Sequence, residues 1–259
     1  MNIKLKTRHD IKKMKKSAAI LAQVLEGLKG LVEPGVNTWK LDKFAYDHIT
    51  NNNAKPAFLG YKPSNDMPPF PGTLCISVNE EVVHGIPSKE RILRNGDIVS
   101  IDCGVLKNGF YSDAAYTYKV GRVSEQKEHL INTTKKALLN GIEAFKVGNT
   151  LGDLGWAVEN TALEAGYSVV KVFVGHGIGR GLHEPPQVPN YGLKKHGLTF
   201  VEGMALAIEP MVNIGTEDVE ILDDGWTVVT ADRKSSAHFE HTVVLTENGT
   251  EILTMFDGF

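Results

Sequence analysis

Ile11, Met14, Ala18, Leu21, Leu25 and Leu28 recur at intervals of three and four between lysines and other polar residues, the spacing that lines one face of an α-helix. Asp10 stands where it can cap that helix, and Glu33-Pro34-Gly35 breaks it. A second apolar face, Leu41, Phe44, Ala45, His48 and Ile49, follows a start at Asn37 or Thr38 and stops in Asn51-Asn52-Asn53; His48 reads as a core or boundary residue. The pattern then changes. Pro56, Pro63, Pro68, Pro69 and Pro71 exclude a continuous helix or a central strand, and the Phe58, Tyr61, Met67 and Phe70 among them predict a lid or rim over the body. Apolar runs then predict strands over 75–78, 82–83, 98–102 after the Asn95-Gly96-Asp97 turn, and 110–120. Helices over 125–145 and 150–165 come next, followed by strands over 169–174, 204–209, 226–230 and 238–245.

This interleaving assigns the chain to the mixed α/β (α+β) class. A composition of 42% hydrophobic and 23% charged residues is that of a soluble globular protein, and 259 residues fit one large domain as well as two. The net charge of −3, with basic residues gathered between Lys4 and Lys16, reads as a solvated helix face; no nucleic-acid partner is expected. Cys75 and Cys103 form no Cys-x-x-Cys pair, which argues against a disulfide scaffold or a structural zinc knuckle and for a reducing compartment. The charged start lacks signal-peptide character, and no stretch approaches the roughly 20 apolar residues of a spanning helix. A cytoplasmic protein with no membrane partner is expected.

The chain nearly repeats itself. Asn95-Gly96-Asp97-Ile98-Val99-Ser100-Ile101-Asp102 lays over Glu202-Gly203-Met204-Ala205-Leu206-Ala207-Ile208-Glu209, each a glycine turn, an apolar strand and a terminal carboxylate. Gly35-Val36-Asn37-Thr38 is echoed by Gly148-Asn149-Thr150 before a later helix, and a further strand acid follows in each part, Asp113 and Glu240. The expectation is one domain over 1–259 made of two related halves, about 10–122 and 123–250, packed around a pseudo-twofold axis that brings Asp102, Asp113, Glu209 and Glu240 together. Buried carboxylates cannot all stay ionised in a shared pocket without cations. His176, in the Gly-rich segment from Gly175 to Pro186 that also holds His183, adds an imidazole. Such a set suits a pair of divalent ions such as Mn, Fe, Co or Zn, roughly 3.5–4 Å apart and sharing a water. Asp97, Glu202 and Asp218 read instead as capped or paired surface acids.

Phe173-Val174-Gly175-His176-Gly177-Ile178-Gly179, then His183, Val188 and Asn190-Tyr191, resemble the signature segment of type I methionine aminopeptidases, and the order His84, Asp102, Asp113, His176, His183, Glu209, Glu240 is similar to that family's. The resemblance spans nearly the whole chain. It implies a pita-bread fold, a duplicated α/β half with a curved antiparallel sheet. It also implies removal of the initiator methionine when the second residue is small, by attack of a metal-bridging water on the first peptide bond. Asp102, Asp113, His176, Glu209 and Glu240 would then be ligands of two divalent ions, Asp113 and Glu240 bridging, with Glu209 also accepting the water's proton. His183 would meet the scissile carbonyl or oxyanion and His84 the peptide nitrogen, neither ligating. The free amine would bind at one metal.

Phe58, Tyr61, Cys75 and Trp226 would line the methionine slot, with Phe70 adjoining. The partners implied are N-termini of nascent chains, at the ribosome, met by a monomer. Two departures stand out. The 62–71 stretch is longer than the usual loop, and Leu182 replaces a common aromatic residue. Prolidases and aminopeptidase P enzymes share the fold and ligands but carry an additional N-terminal domain, and type II enzymes insert a helical subdomain where only a short stretch separates His183 from Glu209. A non-catalytic binding module of this fold would have lost ligands that are all present here. No N-terminal zinc-finger extension precedes the first helix, so a bacterial-type, stand-alone enzyme is expected.

Overall fold

The computed structural model describes residues 3–64, 66–257 and 259. Its first helix, α1 (Arg8–Lys29), is capped by Thr7 rather than Asp10. The Thr7 hydroxyl accepts from the Asp10 backbone N–H while the Asp10 carboxylate accepts from the Thr7 N–H, so Asp10 works from inside the first turn, where its charge also meets the positive end of the helix dipole. Gly30 ends the helix before Pro34 is reached. Helix α2 (Thr38–Asn51) starts from Asn37 and closes at Asn52, with Leu41, Ala45 and Ile49 buried.

Next come β1 (Lys55–Pro56), β2 (Leu74–Val78), β3 (Glu81–Val83), β4 (Ile98–Lys107) and β5 (Phe110–Lys119). All pairings of β4 are antiparallel, with β1 and β2 along one side and β5 along the other. The expectation that a strand ends at Asp102 is corrected: β4 runs on to Lys107, where Asn108-Gly109, both with positive φ, turn the chain into β5. Asp102 therefore sits mid-strand, opposite Cys75 and Ala115. Its neighbours Ile101 and Cys103 pack into the core under α1 and α2. Strand alternation then turns Asp102 to the other face.

Helices α3 (Glu125–Ala144) and α4 (Leu151–Glu164) follow, then β6 (Ser168–Val169), β7 (Gly175–Gly177), β8 (Glu184–Val188), β9 (Ala205–Ile208), β10 (Met211–Asn213), β11 (Val219–Ile221), β12 (Val228–Thr230), β13 (Ser236–His238), β14 (His241–Thr246) and β15 (Gly249–Ile252). Two more strand expectations change. The 169–174 run leaves the sheet after Val169, with Val172 exposed to solvent. The 238–245 run is split at Phe239-Glu240 between β13 and β14, which belong to different sheets.

Five strands in the order β15-β14-β9-β7-β8 form the largest sheet; β13-β10-β6 and β11-β12-β3 form smaller ones. A second core joins α3 and α4, through Leu138, Ile142, Leu154 and Val158, to Leu206, Ile208 and Val243 of that sheet. The β4–β5 hairpin meets the five-stranded sheet at a seam. Ala115 and Glu240 exchange backbone hydrogen bonds of 2.9 and 3.3 Å. One step along, the Asp113 N–H donates to Thr242 Oγ1 at 2.9 Å and that hydroxyl donates back to the Asp113 carbonyl at 2.8 Å. The acid-bearing segments of β5 and β14 are thus joined side by side.

Candidate metal centre and apolar cleft

A cavity of about 650 Å³ opens beside this seam, and its walls contain Phe58, Tyr61, Cys75, His84, Asp102, Asp113, His176, His183, Glu209, Trp226 and Glu240. Every site residue expected from the sequence is in it. Asp102 comes from the middle of β4, Asp113 from β5, Glu240 from the break before β14, His176 from β7, and Glu209 from just past β9. Strand β7 is squeezed between β8 and β9, which explains the glycines beside His176. A Cβ on Gly175 would lie 2.4 Å from the Ala207 carbonyl oxygen, and one on Gly177 2.3 Å from that of Pro185. The segment is therefore a short strand inside the sheet followed by a loop.

The His176 Nδ1–H donates to the Gly177 carbonyl at 2.9 Å. A carbonyl only accepts, so Nε2 is the free lone pair. It lies 3.6 Å from Glu209 Oε1 and 3.9 Å from Asp113 Oδ2. Burial holds this imidazole neutral, with its pKa pushed down to about 3. Ligand atoms of Asp113, His176 and Glu240 lie within 4.8 Å of one another. Asp102 Oδ1, Asp113 Oδ1 and Glu240 Oε1 are buried with no hydrogen-bond partner among the described residues. Burial lifts the Asp102 carboxyl to about 7. Burial first, then the neighbouring acids, pushes Asp113, Glu209 and Glu240 well above the usual carboxylate range. Divalent cations are the partners these orphaned oxygens lack, so the donor set fits them.

His84 has φ of 60°, a left-handed conformation that costs a non-glycine residue of order 1 kcal/mol. Its ring stands edge-on to Phe173 and Trp226, at centroid separations of 5.6 and 6.1 Å, and burial lowers its pKa to about 4. His183 projects from the loop between β7 and β8. Its ring is edge-on to His176, with centroids 4.4 Å apart, and its Nδ1 is 2.6 Å from the Tyr61 hydroxyl. The loop itself is tied down by a buried pair: Lys6 Nζ donates to Glu184 Oε2 at 2.8 Å, while Glu184 Oε1 accepts from the Gly181 N–H at 2.8 Å.

Phe58, Phe70, Cys75, Leu182 and Trp226 make a continuous apolar wall, with Tyr61 and Met67 against it. The Trp226 indole N–H donates to the Pro68 carbonyl at 3.2 Å, and its ring meets Phe70 edge-on at 5.2 Å. The proline-rich stretch is thus a rim; Asn65, within the long 62–71 loop, lies outside the described residues. The expected surface acids behave as such. Asp97 accepts from Asn79 and the Arg94 N–H, and Glu202 and Asp218 are exposed.

Sequence reasoning missed His238. Almost wholly buried, it lines the cavity with its Nε2 lacking a hydrogen-bond partner among the described residues and 3.9 Å from Glu209 Oε2. Its position two residues before Glu240 was the one signal for it, because side chains at i and i+2 of an extended segment share a face. Phe173, noted only as part of the signature segment, is also a wall residue.

Converging acids, an imidazole with its lone pair aimed at them, and an adjoining apolar wall define a protein with a residue group that could hold metal and a cavity beside it. Residues 12–247 match metallopeptidase family M24, and the chain belongs to that family. It is 50% identical over 251 residues to a methionine aminopeptidase of Clostridium perfringens, covering 97% of this chain and 98% of that one. To the methionine aminopeptidase of Escherichia coli K12 it is 42% identical over 256 residues, covering 98% and 95%. The crystal structure of methionine aminopeptidase from Rickettsia prowazekii superposes with a TM-score of 0.94 at 42% identity, covering 98% of this chain and all of the other. A prolidase from Pyrococcus furiosus shares the fold alone, with a TM-score of 0.77 at 24% identity over 65% of its length. The architecture is the pita-bread fold of that family.

Proposed function

We propose that this chain hydrolyses the first peptide bond of proteins and peptides that begin with methionine, preferring a small second residue. The observation that carries the reading is that Asp102, Asp113, His176, Glu209 and Glu240 share the wall of one cavity with Phe58, Tyr61, Cys75 and Trp226. Relatives that match over nearly their whole length and bear the name methionine aminopeptidase support it. The five residues at the acidic end would hold two divalent ions, Co, Mn, Fe or Zn. When bound, such ions supply Lewis acidity and lower the pKa of water.

The chain's own groups divide the remaining work. The slot, apolar and bordered by a thiol, takes the thioether side chain. With the acid cluster in the same cavity, the substrate's free amine would lie beside it, which would exclude blocked or internal residues. Glu209, on the cavity wall with Oε1 3.6 Å from His176 Nε2, would accept the attacking water's proton. His183 donates to the scissile carbonyl oxygen as charge develops on it, and His84 contacts the peptide nitrogen.

We also read residues 1–259 as one domain of two related halves, about 10–122 and 123–250. Each supplies two helices over antiparallel strands and one acid at the seam. A monomer acting in the cytoplasm on nascent chains at the ribosome is the setting we assign; two buried free cysteines and the lack, among the described residues, of a helix able to cross a membrane accord with it. The test is hydrolysis of Met-Ala-Ser and Met-Leu-Ser after removal of metal and stepwise replacement. Activity should return near two equivalents and strongly favour Met-Ala-Ser. A full rate without metal would end the proposal.

A further inference from the structure

His183 can donate to a carbonyl only if its proton is on the nitrogen facing the substrate, and nothing in an isolated imidazole guarantees that. The structure supplies a specific neighbour. The Tyr61 hydroxyl is 2.6 Å from His183 Nδ1, and no other hydrogen bond of that hydroxyl exists among the described residues. The rings are held for this contact, edge-on with centroids 5.2 Å apart. Tyr61 is fixed from behind, its N–H donating to the Phe58 carbonyl at 2.8 Å and its carbonyl accepting from the Phe70 N–H at 2.9 Å.

Two arrangements of the pair are conceivable: phenol O–H to Nδ1, or Nδ1–H to phenol oxygen. Phenol is the stronger acid and the imidazole lone pair the better acceptor, so the first is favoured.

We propose that Tyr61 is a positioning residue: its hydroxyl donates to His183 Nδ1, fixes the neutral tautomer with hydrogen on Nε2, and so presents an N–H rather than a lone pair to the scissile carbonyl. The inference rests on the reading of His183 as that donor. It gives the hydroxyl of Tyr61 a task separate from the ring's place in the slot wall. The opposite tautomer would set two lone pairs against each other just as negative charge develops on the carbonyl oxygen.

The test uses full-length, zinc-loaded protein with ¹⁵N-labelled histidine. His183→Asn identifies the His183 signals. In the wild type, Nδ1 should carry the shift of an acceptor nitrogen and Nε2 that of a protonated one; in Tyr61→Phe, which keeps the ring, the Nδ1 signal should move and the two tautomers should mix. With Met-Ala-Ser, Tyr61→Phe should lower kcat about tenfold, in the range seen when an outer partner of a functional histidine is removed, with KM changed less than about twofold. Phe58→Ala, which opens the slot, should mainly raise KM. A wild-type His183 protonated on Nδ1, or a Tyr61→Phe enzyme with unchanged kcat and unchanged ¹⁵N shifts, overturns the proposal. If the wild type cleaves no methionyl peptide with any metal, the functional reading fails, and the ¹⁵N spectrum still decides the Tyr61–His183 pairing.

Discussion

Asp113 has an orphaned oxygen, acids for neighbours and almost no solvent, so its ionised form is tolerated only with a cation beside it. For an acid whose pKa is higher in the folded than in the unfolded chain, the folded state binds more protons between the two values. Its contribution to stability is whole below about pH 4 and is lost as pH rises through the folded value. The cavity histidines act in the opposite sense. His84 at about 4, and His176 and His238 at about 3, favour the fold above the ordinary value of 6.5 and lose that contribution as pH falls. Asp113→Asn isolates one acid. In metal-free protein its stability relative to wild type should be greater at pH 8 than at pH 5, since the wild-type acid holds its proton in the fold and not in the unfolded chain, while metal affinity is lost. Urea denaturation at the two pH values measures this; parallel curves would contradict it.

Loading the wild type at pH 7 should expel protons from the cluster, so affinity rises with pH. Calorimetric titrations in two buffers of different ionisation enthalpy will show it, and a heat independent of buffer would not fit. The site acids were legible in the sequence because each half places a glycine turn, an apolar strand and a carboxylate in the same order. His238 was not, because a histidine at a strand end looks like any buried histidine until the fold sets Glu209 beside it.

At the scale of elements, the four helices stood out because a repeat of three and four over several turns is long enough to be unambiguous. The strands were blurred. A continuous apolar run carries no mark of where one sheet ends, so the break at Phe239-Glu240 depends on the seam with β5, a contact between residues far apart in sequence. The tie from the arm before α1 to the β7–β8 loop was equally hidden. Lys6 was one lysine among many, yet its ammonium is buried against Glu184 while its neighbours are solvated. Lys6→Met should leave the Glu184 carboxylate with the Gly181 N–H but without its cation, costing about 1–3 kcal/mol, and should lower kcat through disorder of the loop that carries His183. Pairing it with Glu184→Gln should recover most of the stability. Thermal melts of the two single variants and the double variant give the coupling, and additive losses would mean the pair is not an energetic unit.

For the molecule as a whole, the acids come from both sides of the seam, so cations bound among them would act as a clasp between the β4–β5 hairpin and the five-stranded sheet. A ligand at a hundred times its dissociation constant stabilises the folded state by ~2.7 kcal/mol. Chelation should therefore lower Tm, and by more at pH 8 than at pH 5.5, because protons replace the missing cations at the lower pH. Differential scanning calorimetry with and without chelator tests this; a change in Tm independent of pH would tell against the clasp. The mixed α/β class was readable from the interleaving of helices and strands, and the pita-bread fold from the family resemblance, whereas the bonds of the seam were not, since they join backbone groups and the Thr242 hydroxyl across more than a hundred residues of chain.

Those backbone bonds have one more effect. Glu240 is bonded through its own peptide groups to Ala115, two residues from Asp113 on the same strand, so the spacing of the two acids is set by the β-ladder before any ion arrives. Cations that joined the two carboxylates would thus meet side chains whose backbone anchors already stand at a fixed separation.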